Sequence, residues 1–290
     1  TTLASTDPLP GPLSVVLIKI PRTLALLEQQ LIELRNVITP ETSIVAAAKV
    51  KAVTKSVLAL FEKYIGATTT SLAKKKSRLI FSVPDPATLS RDIVSPYPTQ
   101  WNCLASTGQS LTISNLANVF SRQSLDIGAR FLLETMQIND GERIIDLGCG
   151  NGVLGLNALA MGSQSAVTFV DESYMAVASA KANVEKNFPA SLSQCDFVAS
   201  NCLDTLIDTP LKGNIDRILC NPPFHQQNAI TDHIAWQMFH DAREMLHKGG
   251  HLIVVGNRHL NYHVTLKRLF GGVKQLASHQ KFVILSAAKR

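Results

Sequence analysis

The first third of the chain alternates between two hydrophobic rhythms. Short apolar runs at 15–20, 43–48 and 73–83 have the length and β-branched content of strands, and between them 23–37 and 53–64 repeat Leu, Ile and Val at helical spacing. Strands alternating with helices of this length predict an open α/β sheet. Residues 84–98, rich in Pro, Asp and Ser, break the rhythm and read as a linker. Segments 101–105 and 110–114 then alternate on either side of Ser106-Thr107-Gly108, as a hairpin does. A second α/β pattern runs from Asn118 to Arg290. The domain organisation predicted is 1–84, a linker and hairpin over 85–117, and 118–290.

The same order of patterns recurs near the C-terminus. "VVLIKIP" (15–21) lies over "DRILCNP" (216–222), "SIVAAAK" (43–49) over "HLIVVGN" (251–257), and "LAKKKSRLIFSV" (72–83) over "LASHQKFVILSA" (276–287). Leu72, Ala73, Ile80 and Ser82 thereby match Leu276, Ala277, Ile284 and Ser286. Order and spacing together imply a duplication. Where the second copy has Asn221-Pro222-Pro223-Phe224 the first has Ile20-Pro21-Arg22-Thr23, so only the second keeps residues suited to chemistry.

Composition narrows the class. With 46% hydrophobic and 17% charged residues in 290, the chain is core-forming. No apolar run approaches the roughly 18 residues of a membrane span, and no signal or transit pattern opens the chain, so the cytoplasm is expected. Five cysteines without a Cys-x-x-Cys pair argue against a disulfide framework or a zinc ribbon. A net charge of +6, with clusters at Lys74–Lys75–Lys76–Arg78, Lys267–Arg268 and Lys289–Arg290, favours a polyanionic partner.

The first candidate site is "RIIDLGCGNGVLGL" (143–156), an apolar strand, an acid at its end, three alternate glycines and a helix. Gly148, Gly150 and Gly152 permit positive φ and close approach of a ligand, and the helix start is expected to offer free N–H groups to an anion. The motif is D-x-G-x-G-x-G, not the G-x-G-x-x-G of dinucleotide folds, and its Asp146 is placed to take an ammonium group that NAD lacks. Two later strand ends extend the pocket. Asp171 closes "AVTFVD" where a ribose-binding acid belongs, and Asn201 follows "CDFVAS" with an amide suited to an adenine edge. Either alone reads equally as a helix cap.

Asp146-Leu147-Gly148-Cys149-Gly150-Asn151-Gly152 with a downstream Asn-Pro-Pro-Phe resembles the class I S-adenosylmethionine-dependent methyltransferases. The resemblance implies a Rossmann-like, seven-stranded sheet with an antiparallel last strand, preceded by part of a second, degenerate methyltransferase-like domain. It also implies S-adenosyl-L-methionine as cofactor, held by Asp146, Gly148, Gly150, Asn151, Asp171 and Asn201. Prolines stop the strand and lack an N–H, so Asn221 Oδ1 and the Pro222 carbonyl can both accept from a planar amine while Phe224 stacks on its ring. A conjugated amine is a weak nucleophile whose lone pair must be turned toward the methyl sulfonium, so catalysis is mainly positioning, with no metal and no covalent nucleophile. Adenine N6, guanine N2 and a protein glutamine stay open on this motif alone.

"NVFSRQSLDIGARFLLETM" (118–136), "FVDESYMAVASAKANVE" (169–185), "NPPFHQQNAITDHIAWQMFHDA" (221–242) and "NRHLNYHVTLKRLFG" (257–271) are similar to the ribosomal RNA large subunit methyltransferase G family. That resemblance implies N2-methylation of a guanine in bacterial 23S rRNA, protein-free or early in assembly; a monomer is expected. The related small-subunit methyltransferase C family shares the two-domain architecture. On the resemblance the chain enters the first domain halfway, which puts RNA docking by that domain in question. A release-factor glutamine methyltransferase, usually with Tyr in place of Phe224, is one rival; an RNA-binding fold without catalysis is another.

Other chemistry-bearing residues have plainer readings. His233, His240 and His247 recur every seven residues, about 10.5 Å apart on a helix, too far to share one zinc, and read as the polar face opposite Ala235, Met238, Phe239, Ala242, Met245 and Leu246. His225 is placed to touch a target base or a phosphate, or to give a supporting hydrogen bond. Arg122, Asp126 and Arg130 read as a capped helix packed through Leu125, Ile127, Phe131 and Leu132, or as a segment closing over the cofactor or RNA.

Overall fold

The computed structural model describes the backbone of residues 1–223 and 229–290 and the side chains of 1–223 and 233–290. It divides into two compact units, Thr1–Pro98 and Thr99–Arg290.

The first unit runs β1 (Leu13–Lys19), α1 (Leu24–Leu34), β2 (Ile38–Lys49), α2 (Lys55–Tyr64), β3 (Thr68–Thr70), β4 (Ser77–Ser82) and α3 (Pro86–Leu89). Its sheet has the order β1-β2-β4-β3, with β1 parallel to β2 and the other pairs antiparallel. Leu27 and Leu31 of α1 and Phe61 and Tyr64 of α2 bury against Ile44 and Ile80 on one face. The strand expected at 73–83 begins only at Ser77. Lys74 and Ser77 exchange backbone hydrogen bonds around Lys75 and Lys76, both at positive φ, so a tight turn occupies its first residues.

The segment expected as linker is tied to this unit. Arg35 donates to the carbonyls of Tyr64, Thr88, Leu89 and Arg91, and Tyr97 Oη donates to Glu28 Oε2 at 3.0 Å. A guanidinium with four carbonyl partners outweighs the Pro-rich composition of 84–98, and the boundary falls at Pro98/Thr99.

The second unit opens with the hairpin β5 (Thr99–Leu104) and β6 (Ser110–Asn115), which is part of it and not a connector. Then follow α4 (Ile127–Thr135), β7 (Arg143–Leu147), α5 (Val153–Met161), β8 (Ala166–Asp171), α6 (Tyr174–Asn187) and β9 (Cys195–Ala199). After them come β10 (Ile215–Cys220), α7 (Ala229–Met245), β11 (Leu246–Asn257), α8 (Tyr262–Phe270), β12 (Lys274–Ser278) and β13 (Phe282–Ala288). The seven strands stand in the order β12-β13-β11-β10-β7-β8-β9, all parallel except β13, which is antiparallel to both neighbours. This is the seven-stranded Rossmann-like sheet that the resemblance to class I methyltransferases implies.

The hairpin is fastened by a row of polar side chains on α6. Asn183 and Asn187 each exchange two hydrogen bonds with the backbone of β6, at Ser114 and Thr112, and Ser179 Oγ accepts from Leu116 N–H. Spaced four residues apart on one helix face, they take the place of a pairing strand. One apolar core, with Leu132, Leu156 and Phe169, lies between the sheet and α4, α5 and α6. The other, with Phe239, Leu246 and Leu266, lies under α7 and α8. Strand order reverses between β7 and β10, which leaves a crevice beyond their carboxyl ends.

Candidate active site

Strand β7 is buried on both faces, and the chain leaves it through Gly148, Gly150 and Gly152, with φ of 72°, 55° and 80°. Such angles favour glycine, which adopts them without the strain a Cβ brings. A Cβ on Gly152 would stand 3.0 Å from Ala180 Cβ, and one on Gly155 only 2.2 Å from Phe169 Cε1, so these two also set the packing of α5.

Most of the N–H groups of the loop and helix start are bonded inside the protein. Gly148 and Cys149 donate to the Val170 carbonyl, Gly150 to Asp171 Oδ2 at 2.9 Å, Val153 to Asn151 Oδ1 and Gly155 to Asp146 Oδ2 at 2.9 Å. The expected supply of free N–H groups for an anion is therefore absent at these positions. What the loop presents at the cavity wall is the Asp171 carboxyl and not a row of free N–H groups, which counts against the pyrophosphate of a dinucleotide.

Asp146 lies elsewhere than its motif suggested. It has no solvent exposure, is not in the cavity wall, and clamps the loop from below through Gly155. Its strand stands between β8 and β10, so the side chain enters the interior. Burial pushes its carboxyl up to about 8. Asn151 is likewise a clip. It is buried, with Nδ2 donated to Asn115 Oδ1, and lies in the wall of a narrow recess and not of the main cavity.

The crevice opens into a cavity of about 770 Å3, a size that fits a nucleoside-type cofactor with a planar substrate. Gly148, Gly150, Asp171, Asn201, Asn221 and Pro222 all line it. Asp171 accepts from Gly150 with one oxygen and from Ser173 N–H with the other, and burial raises its carboxyl above the usual range. Asn201 donates one of its two Nδ2 hydrogens to Asp204 Oδ2 at 2.9 Å, which orients the amide and leaves its carbonyl oxygen for a ligand.

Asn221 has the most telling environment. Its Nδ2 donates to Asp126 Oδ2 at 3.3 Å, whereas its Oδ1 is shut off from water with no partner among the described residues. An acceptor left so costs about 1–3 kcal/mol until a donor reaches it. Phe224 and His225 lie outside the described residues. Phe120, Ser200 and Met238 also line the cavity, a role that the sequence alone does not assign them. Asp126 caps α4 through Ala129 N–H, as one reading of that stretch had it, and holds Asn221 as well. Of the spaced histidines, His240 stacks on Trp236 with ring centroids 5.2 Å apart, and His247 belongs to β11 and not to the helix.

The comparisons with known proteins agree with this architecture. Residues 110–286 match the methyltransferase small domain, and residues 1–86 match the RLMG N-terminal domain. The ribosomal RNA large subunit methyltransferase G of Alteromonas mediterranea is 64% identical over 96% of this chain and 67% of its own length. The chain belongs to the ribosomal RNA large subunit methyltransferase G family. The family member of Aeromonas hydrophila is 56% identical over 97% of this chain and 73% of its own length. Among solved structures, the T. thermophilus 16S rRNA N2 guanosine methyltransferase RsmC, in complex with AdoMet and guanosine, superposes with a TM-score of 0.80 at 23% identity. It covers 97% of this chain and 74% of its own, which shows a common fold across both units.

Proposed function

We propose that this chain transfers a methyl group from S-adenosyl-L-methionine to the exocyclic N2 amine of a guanine in large-subunit (23S) rRNA, in the bacterial cytoplasm. Family membership supports the substrate class. The observation that carries the chemistry is the buried Oδ1 of Asn221, without a partner among the described residues, beside a cavity lined by the glycine loop.

The residues present fit the cofactor. Gly148 and Gly150 offer backbone with no side chain in the way, Asp171 keeps lone pairs for ribose hydroxyls, and the Asn201 oxygen suits an adenine amine. When bound, S-adenosyl-L-methionine supplies an electrophilic methyl group. Asn221 Oδ1 accepts from one N–H of the target amine, and the Pro222 carbonyl is placed by the sequence to accept from the other. This grip would localise the nitrogen lone pair and aim it at the methyl group, whose bond to sulfur would break as the N–C bond forms, and the amine proton would then pass to water. The proposed role of the first unit is RNA docking, supported by the basic turn Lys74–Lys75–Lys76 at its surface.

The test is incubation with methyl-labelled cofactor and protein-free large-subunit rRNA lacking the modification, beside small-subunit rRNA and a release factor, followed by digestion. Label in N2-methylguanosine from large-subunit rRNA alone is expected. Label in N6-methyladenosine or in glutamine contradicts the assignment of substrate and leaves the amine chemistry standing.

A further inference from the structure

Asn221 follows the end of β10, where no ladder bond fixes its amide, and an amide can turn over by half a rotation, exchanging oxygen for nitrogen. Only one of the two orientations serves the proposed reaction. The partner that decides between them comes from 95 residues earlier in the chain. Asp126 Oδ2 accepts from Ala129 N–H at 2.9 Å, which pins that oxygen to the first turn of α4, and the same oxygen accepts Asn221 Nδ2 at 3.3 Å. Turned over, the amide would set Oδ1 against a carboxylate oxygen, two acceptors with no proton between them. The orientation that remains is the one with Oδ1 buried and without a partner among the described residues.

We propose that Asp126 is a positioning residue for methyl transfer: pinned by the α4 backbone, its carboxylate fixes the Asn221 amide so that Oδ1 receives the target amine. The inference rests on the role given to Asn221 above. Its negative charge also polarises the amide and strengthens Oδ1 as an acceptor. Asp126 itself touches neither substrate nor cofactor in this account.

Serine separates this role from helix capping. Ser caps a helix as well as Asp does, but its hydroxyl is too short to keep both bonds, whereas Asn retains an acceptor oxygen in the same place. Under saturating cofactor, Asp126→Ser is expected to lose roughly 10- to 100-fold in kcat with cofactor affinity and melting temperature held, and Asp126→Asn to recover most of that loss. In the double variant with Asn221→Ala, Asp126→Ser is expected to cost nothing further. Should Asp126→Ser fold poorly, Asp126→Thr, which also caps, carries the same comparison. Full activity in Asp126→Ser, or losses that add to those of Asn221→Ala, overturns the inference and leaves the role of Asn221 intact. Full activity in Asn221→Ala overturns that role instead.

Discussion

Two parts of this molecule share one topology and differ in what stands beside it. In the first unit β1, β2, β4 and β3 lie side by side, parallel then antiparallel twice; in the second, β10, β11, β13 and β12 do the same, with α7 and α8 where the first has α1 and α2. The duplication read from the sequence is thus a duplication of structure. Yet β10 pairs on its other side with β7, and α4 to α6 cover the second face of its sheet, whereas β1 pairs only with β2 among the described strands and that face bares Val15, Leu17, Leu79 and Phe81. A strand end of the right shape is not yet a site. Asn221 gains a buried acceptor with no partner among the described residues because Asp126 and the glycine loop, both from outside the duplicated part, surround it.

The largest way to break the contrast is to disturb what only the second unit has. Gly155→Ala puts a methyl into Phe169, and is expected to destabilise that unit by about 2–3 kcal/mol, with hydrogen exchange across β1 to β4 unchanged. Asp171→Asn sets an amide nitrogen against one of two backbone donors and should weaken cofactor binding roughly 10-fold by calorimetry, with the first unit again silent.

A smaller effect depends on pH. The Asp146 carboxyl, raised by burial to about 8, is protonated in the fold where the unfolded chain would already be ionised. Its contribution is therefore present in acid and lost as pH rises from the usual carboxylate range through about 8. Asp146→Asn keeps a neutral acceptor for Gly155, so its stability relative to the parent should improve between about pH 5 and about pH 8.5 in denaturant titrations. A difference that stays flat with pH would contradict the buried, neutral acid. The smallest expected effect is none: grafting Asn-Pro-Pro-Phe onto positions 20–23 in an Asn221→Ala background should restore no methyl transfer.

Much of this was legible. Short-period patterns gave the strands, the alternate glycines marked the turn after β7, and the text repeated at 43–49 and 251–257 lies on equivalent strands β2 and β11. What escaped depends on direction and distance. Spacing places Asp146 at a strand end but not under the loop, because that follows from β7 being central in its sheet. Spacing makes Asn151 a ligand contact, whereas its amide is turned inward to Asn115. The pairing of Asp126 with Asn221 joins residues too far apart in sequence for any local pattern to link them. The polar row Ser179, Asn183 and Asn187 was visible as a four-residue spacing, but its meaning needs the β6 edge it completes.

The central claim is that the Asn221 amide oxygen orients the accepting amine. Single-turnover methyl transfer to protein-free large-subunit rRNA, with cofactor saturating and its affinity measured separately, compares the parent with Asn221→Ala. The account predicts a fall in rate of roughly 100- to 1,000-fold with cofactor affinity unchanged. A rate that stays within a few fold of the parent, or a loss that comes entirely from weaker cofactor binding, would contradict it.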